Sequence, residues 1–137
     1  MFVICPQCWH ELETTPAVCG KCGTHVDLYS REYERRLISA LPGADAETRA
    51  QICWVLGSRR KRSAVPTLIE LLRDPDVLVR VAALRGLGEI GDASSVDAVE
   101  KLTVSKDTVV QTVATNVLKT LIRAKGSGLT GHSRGRK

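Results

Sequence analysis

Four cysteines fall into two C-x-x-C pairs within the first twenty-two residues: Cys5-Pro6-Gln7-Cys8 and Cys19-Gly20-Lys21-Cys22. In each pair one tight turn can present two sulfurs to the same ion, and two such turns facing each other complete a tetrahedron. Pro6 stiffens the first turn. Gly20 and Gly23 supply backbone freedom for N–H groups to bend toward the thiolates. The chemistry this pattern predicts is one structural Zn2+ held by Cys5, Cys8, Cys19 and Cys22, with no position left for water or substrate. An all-sulfur site also accepts iron, and two dithiols can cycle with a disulfide, so these alternatives stay open at this point. His10 and His25 lie close by in sequence and are expected on the surface, because four thiolates already fill a tetrahedron.

The knuckle residues resemble the zinc ribbon family over residues 3–25. That resemblance implies short strands, for which Val3-Ile4, Glu11-Leu12-Glu13 and Thr24-His25-Val26 are the candidates. A segment so small buries too little apolar surface to fold alone, so metal binding must contribute most of its folding free energy. Trp9, next to Cys8, is expected to cover the knuckle or pack on the first helix.

The remainder repeats with a period of about 31 residues. Arg49-Ala50-Gln51-Ile52-Cys53-Trp54-Val55-Leu56-Gly57 falls on Arg80-Val81-Ala82-Ala83-Leu84-Arg85-Gly86-Leu87-Gly88 and then on Gln111–Lys119. Ser63–Leu72 falls on Ser94–Thr103, and Leu37-Ile38 and Leu41 fall on Leu68-Ile69 and Leu72. Apolar residues at helical spacing place helices near 30–41, 46–57, 63–73, 75–88, 94–104 and 107–123. Asp74 suits an N-cap with Pro75 at the first helical position, and Ser105 takes that cap position one repeat later. Gly57 and Gly88 suit helix C-termini.

The phrase Asp76–Asp92 resembles HEAT repeats, most closely the short repeats of the phycobilin lyase family, and the likeness extends over about residues 30–123. It implies an all-α fold, a short right-handed α-solenoid of helix pairs preceded by the small zinc ribbon. It also implies that an Asp and an Arg at the start of each first helix bond between neighbouring repeats. Asp45/Arg49 and Asp76/Arg80 fit that role, while Asp107/Gln111 departs from it and marks a capping unit. The expected organisation is 1–28 zinc ribbon, 29–124 helical repeats and 125–137 a disordered basic tail rich in Gly and Ser.

Charge placement narrows the functions. The net charge is +5, yet up to Ile122 the 15 acidic residues are matched by as many basic ones. The excess lies in Arg123, Lys125, Arg134, Arg136 and Lys137. A neutral body with a basic tail is not the balance of a globally basic nucleic-acid binder. The strongest local charge is Arg59-Arg60-Lys61-Arg62, in the turn that aligns with Ile90-Gly91-Asp92-Ala93. These four cations and Trp54, at a position aligned with Arg85 and Asn116, are the candidate partner-binding residues. Trp54 either packs on the ribbon or anchors a partner. Cys53 aligns with Leu84 and reads as a small buried hydrophobe.

No nucleophile–base constellation and no phosphate loop is present, and the histidines all lie outside the repeats. The expectation is therefore a binding protein rather than an enzyme. The leading reading is a cytoplasmic protein–protein interaction adaptor with a structural zinc. The alternatives are a nucleic-acid-binding module using the ribbon, the loop 59–62 and the tail, and an accessory subunit of a lyase or cofactor-maturation enzyme. No charged n-region precedes an apolar run at the start, which argues against a signal peptide, and no apolar stretch is long enough for a membrane partner.

Overall fold

A computed structural model describes residues 3–12 and 18–135, with side chains through Gly126. Two short strands, β1 (Val3–Ile4) and β2 (Glu11–Leu12), pair antiparallel with Val3 opposite Leu12 and Ile4 opposite Glu11. The third expected strand is a single bridge between Val18 and His25. Glu13, expected to extend β2, lies outside the described residues.

Among the described residues six α-helices follow: α1 (Arg31–Ala40), α2 (Ala46–Ser58), α3 (Val65–Leu71), α4 (Val77–Ile90), α5 (Val96–Leu102) and α6 (Thr108–Gly135). Helices α1, α2, α4 and α6 are each started by a side chain that accepts an otherwise orphaned N–H. Ser30 accepts from Tyr33, Asp45 from Thr48, Asp76 from Leu78, and Asp107 from Val109 and Val110. The expected caps Asp74 and Ser105 therefore stand two residues too early. Asp74 accepts from the Asp76 N–H at 2.9 Å and Ser105 from the Asp107 N–H at 3.2 Å, so each shapes the turn before the cap. A tight turn separates Pro75 from the helix, which is why α4 starts at Val77 and not at Pro75.

The far end of α6 also differs from expectation. Its backbone stays helical to Gly135, through the segment read as a disordered tail and past the expected end at 123, and no proline follows Pro75 to stop it. The side chains of Arg134, Arg136 and Lys137 lie outside the described residues.

Helices α2, α4 and α6 pack side by side in sequence order, with α3 against α4 and α5 against α6. The core is mostly Leu, Val, Ile and Ala and runs without a break from Val3 and Ile4 of β1, through Leu37, Ile52, Leu56, Leu68 and Leu84, to Leu121. Gly57 and Gly88, expected at helix C-termini, lie in the last turns of α2 and α4, although neither is the cap itself. Gly57 is there because a Cβ would stand 2.5 Å from the Gly86 Cα of α4, so only glycine lets the two backbones approach this closely.

Candidate metal centre and exposed surfaces

The two cysteine turns are the same device built twice. The Cys5 N–H donates to the His10 carbonyl at 2.9 Å and the Trp9 N–H to the Cys5 carbonyl at 2.9 Å. One turn later in the chain, the Cys19 N–H donates to the Thr24 carbonyl at 2.8 Å and the Gly23 N–H to the Cys19 carbonyl at 2.9 Å. The residue after the second cysteine has a left-handed backbone in both, with φ 63° at Trp9 and 75° at Gly23. Gly20, also expected to use that freedom, does not. Trp9 is half-buried against the core, at the cost of holding a bulky side chain where its counterpart is glycine.

These turns bring four sulfurs together. Cys5 Sγ lies 3.6 Å from Cys22 Sγ, Cys8 Sγ lies 3.7 Å from Cys19 Sγ, and all four lie within 4.8 Å of one another. With metal–sulfur bonds of about 2.3 Å, the edge of a tetrahedral thiolate site is about 3.8 Å, so the cluster has the size of a four-sulfur metal centre. His10 and His25 are exposed and take no part in it.

The electrostatics point the same way. The Cys22 thiol is pulled down to about 6, first by the Thr24 hydroxyl 3.2 Å away and then by the Thr24 N–H. Cys19 is lowered by the N–H groups of Cys22 and Lys21. At Cys8 the His10 N–H favours the thiolate, but burial and the three other sulfurs outweigh it and push the thiol up to about 12. Burial raises Cys5 against the N–H groups of Gln7 and Cys8. Four adjacent thiols cannot all ionise against one another, and a bound cation is what makes four thiolates compatible in one cluster.

The cluster is fixed to the helices by one side chain that no sequence pattern flagged. The Tyr33 hydroxyl of α1 donates to the Ile4 carbonyl at 2.9 Å and accepts from the Ile4 N–H at 3.2 Å, next to Cys5 and in the protein interior. Arg59 then lies over the Tyr33 ring at 5.1 Å. Its guanidinium pairs with Glu34 at 3.3 Å and donates to the Leu28 carbonyl, while Ser63 donates to Glu34 at 3.3 Å.

Arg59, grouped by sequence with the cations that meet a partner, is thus turned inward with a side chain only 9% exposed. Arg60, Lys61 and Arg62 remain at the surface, with Arg62 3.8 Å from Asp92. Trp54 is 52% exposed and stands between two depressions on the α2–α4 face. One, of about 320 Å³, has Gly57, Gly86, Arg85 and Val117 among its walls, and the other, of about 420 Å³, includes Ala50, Gln51 and Leu78. No cysteine-module residue lines either. Cys53 is fully buried, and burial pushes its thiol up to about 12, which keeps it unreactive at neutral pH.

A family model described as HEAT repeats matches residues 34–119, more than half of the chain. The protein belongs to the HEAT-repeat family. No curated protein matches it. The match begins inside α1, so the cysteine module stands outside the HEAT repeats. Within them, the rung between neighbouring repeats is not the expected one. Arg49 grips Asp74 with two bonds, Nε to Oδ2 at 2.8 Å and Nη2 to Oδ1 at 3.1 Å, while Asp45 and Asp76 are occupied as helix caps. The residue aligned with Asp74 one repeat on is Ser105, which has no charge to offer Arg80. Arg80 donates instead to the Asp74 and Pro75 carbonyls. The offset of 31 contained this signal, since the Asp74/Ser105 difference is visible in the alignment. Among the described residues no helix is long and apolar enough to cross a membrane.

Proposed function

We propose that this HEAT-repeat chain is a non-catalytic scaffold for another protein, stacked as a short right-handed solenoid whose first repeat is capped by a zinc ribbon. The observation that carries the reading is Trp54: a large aromatic half-exposed between two depressions, beside exposed Leu78 on the neighbouring helix. Aromatic side chains seated among pockets are the usual anchors of protein interfaces. The sulfur spacing, with no fifth clustered ligand among the described residues, fits a closed four-sulfur metal site, and the ion we assign to it is one structural zinc. A reducing, cytoplasmic setting suits free thiolates of this kind.

The test uses the full chain as bait in nuclease-treated cell extract. Wild type should retain a defined protein through moderate salt, and Trp54→Ala should release it while leaving the helical circular dichroism unchanged. Retention by Trp54→Ala equal to wild type would overturn the assignment of this face. Metal analysis should give one zinc per chain, and iron in its place would overturn the choice of ion.

A further inference from the structure

We propose that the surface formed by Tyr29, Arg31, Arg60, Lys61 and Arg62 binds a single-stranded nucleic acid, one base stacked on Tyr29 and the flanking phosphates held by the cations. This goes beyond the scaffold reading and does not use Trp54. The two stretches are about thirty residues apart in sequence, and the fold joins them. Arg59 donates to the carbonyl of Leu28, the neighbour of Tyr29, and Glu34 takes both Arg59 and Ser63. The turn carrying Tyr29 and Arg31 is thereby fastened to the loop carrying Arg60, Lys61 and Arg62.

Tyr29 is 89% exposed, more than any other large apolar side chain described. Its backbone is nonetheless fixed, because its N–H donates to Asp27 Oδ1 at 3.0 Å and the next residue, Ser30, caps α1. A ring held out into solvent on a rigid turn contributes nothing to folding and offers a stacking face. Arg31, Arg60, Lys61 and Arg62 on the two joined stretches are all exposed, and Arg62 is 86% so despite Asp92 at 3.8 Å.

Two local rules are broken in this one patch. Arg60 has φ 53°, whereas the aligned residue of the next repeat is Gly91 with φ 70°. A side chain there costs conformational energy that glycine would avoid. Arg31 is the first residue of α1, where the positive end of the helix dipole disfavours a cation. Such departures concentrate where a ligand repays them. An anion alone would satisfy the cations, and Tyr29 is what favours a base-bearing strand over an acidic peptide.

The test is fluorescence anisotropy of the full chain with short labelled oligothymidylate and oligouridylate, with polyglutamate as competitor. Binding should weaken as salt rises, with a log–log slope of about −3 if four phosphates are neutralised. Tyr29→Ala should lower affinity about tenfold with the slope unchanged, in line with the loss of one stacked base. Lys61→Ser should weaken binding and make the slope shallower by about 0.7, and Trp54→Ala should change neither. Both substituted side chains are exposed, and matching circular dichroism melts confirm an intact fold. The proposal is overturned if no oligonucleotide binds at low salt, if Tyr29→Ala binds as well as wild type, or if polyglutamate displaces the strand at equal charge concentration.

Discussion

Arg49 of α2 and Asp74 of the α3–α4 turn form a two-pronged ion pair between successive repeats, and the next repeat lacks the carboxylate that would continue it. Asp74 is nearly buried, with its side chain 7% exposed, so removing it leaves a guanidinium whose planar fork has lost its partner. Asp74→Ala should lower the melting midpoint by about 3–6 °C. Ser105→Asp should do the reverse, by about 2 °C, by giving Arg80 a carboxylate at the aligned position. The gain should vanish when Arg80→Gln is added, and persistence of the gain would show that Arg80 is not the beneficiary.

The same carboxylate sets an acid limit. Burial alone would raise Asp74, but the hydrogen bond from Arg49, the Asp76 N–H and the charges of Arg49 and Arg80 outweigh it and hold the carboxyl below its ordinary range. Asp45 and Asp92 are lowered as well, by the N–H groups of Thr48 and Ser94 first. A carboxyl depressed in the folded state stabilises the protein above its unfolded value of about 4, and that contribution disappears as pH falls through the folded value. The difference in melting temperature between wild type and Asp74→Asn should therefore be constant near neutrality and shrink below about pH 4. The comparison between the two proteins cancels any metal lost at low pH, which both would share.

Gly57→Ala tests the close approach of α2 and α4. In an ordinary exposed helix this change stabilises by up to about 1 kcal/mol. Here the new Cβ meets backbone at 2.5 Å, which no side-chain rotation relieves. The helices must part, and we expect a net loss of about 1–3 kcal/mol in urea unfolding.

Arg60→Gly should raise stability by about 1 kcal/mol, because it restores at α2 the left-handed glycine that Gly91 provides at α4. The same variant should bind oligonucleotides less tightly. A rise in stability with a fall in binding is the signature of a position held for a ligand, and a fall in both would contradict it.

Tyr33 joins the cysteine module to the helices. Tyr33→Phe leaves the Ile4 N–H and carbonyl buried without partners and should cost about 1–3 kcal/mol. Removing metal with a chelator should also lower the helix melting temperature, since Val3 and Ile4 share one core with Leu37 and Ile52. Tyr33→Phe should make that chelator effect smaller. Equal helix melts with and without chelator in wild type would refute the coupling.

The amino-acid order by itself determined the cysteine module and the helical repeats, because both depend on spacing along the chain. Two residues between cysteines make one turn, and a hydrophobic period of 3.6 within a repeat of about 31 makes stacked helices. Repeat alignment also placed Cys53 in the core, and the count of four thiolates placed His10 and His25 outside the cluster.

The tertiary structure decided what depends on which distant groups meet. Arg59 is indistinguishable from Arg60 in the sequence, yet the Tyr33 ring, Glu34 and the Leu28 carbonyl draw it inward. Gly57 reads as a helix C-terminus, and only the fold shows that Gly86 lies against it. Tyr29 carries no pattern at all, and only the bond from Arg59 to the Leu28 carbonyl ties its turn to the loop that carries Arg60, Lys61 and Arg62. Local periodicity fixes which face of a helix is buried, whereas the partner across that face is chosen by packing of segments some thirty residues apart, which no local rule encodes.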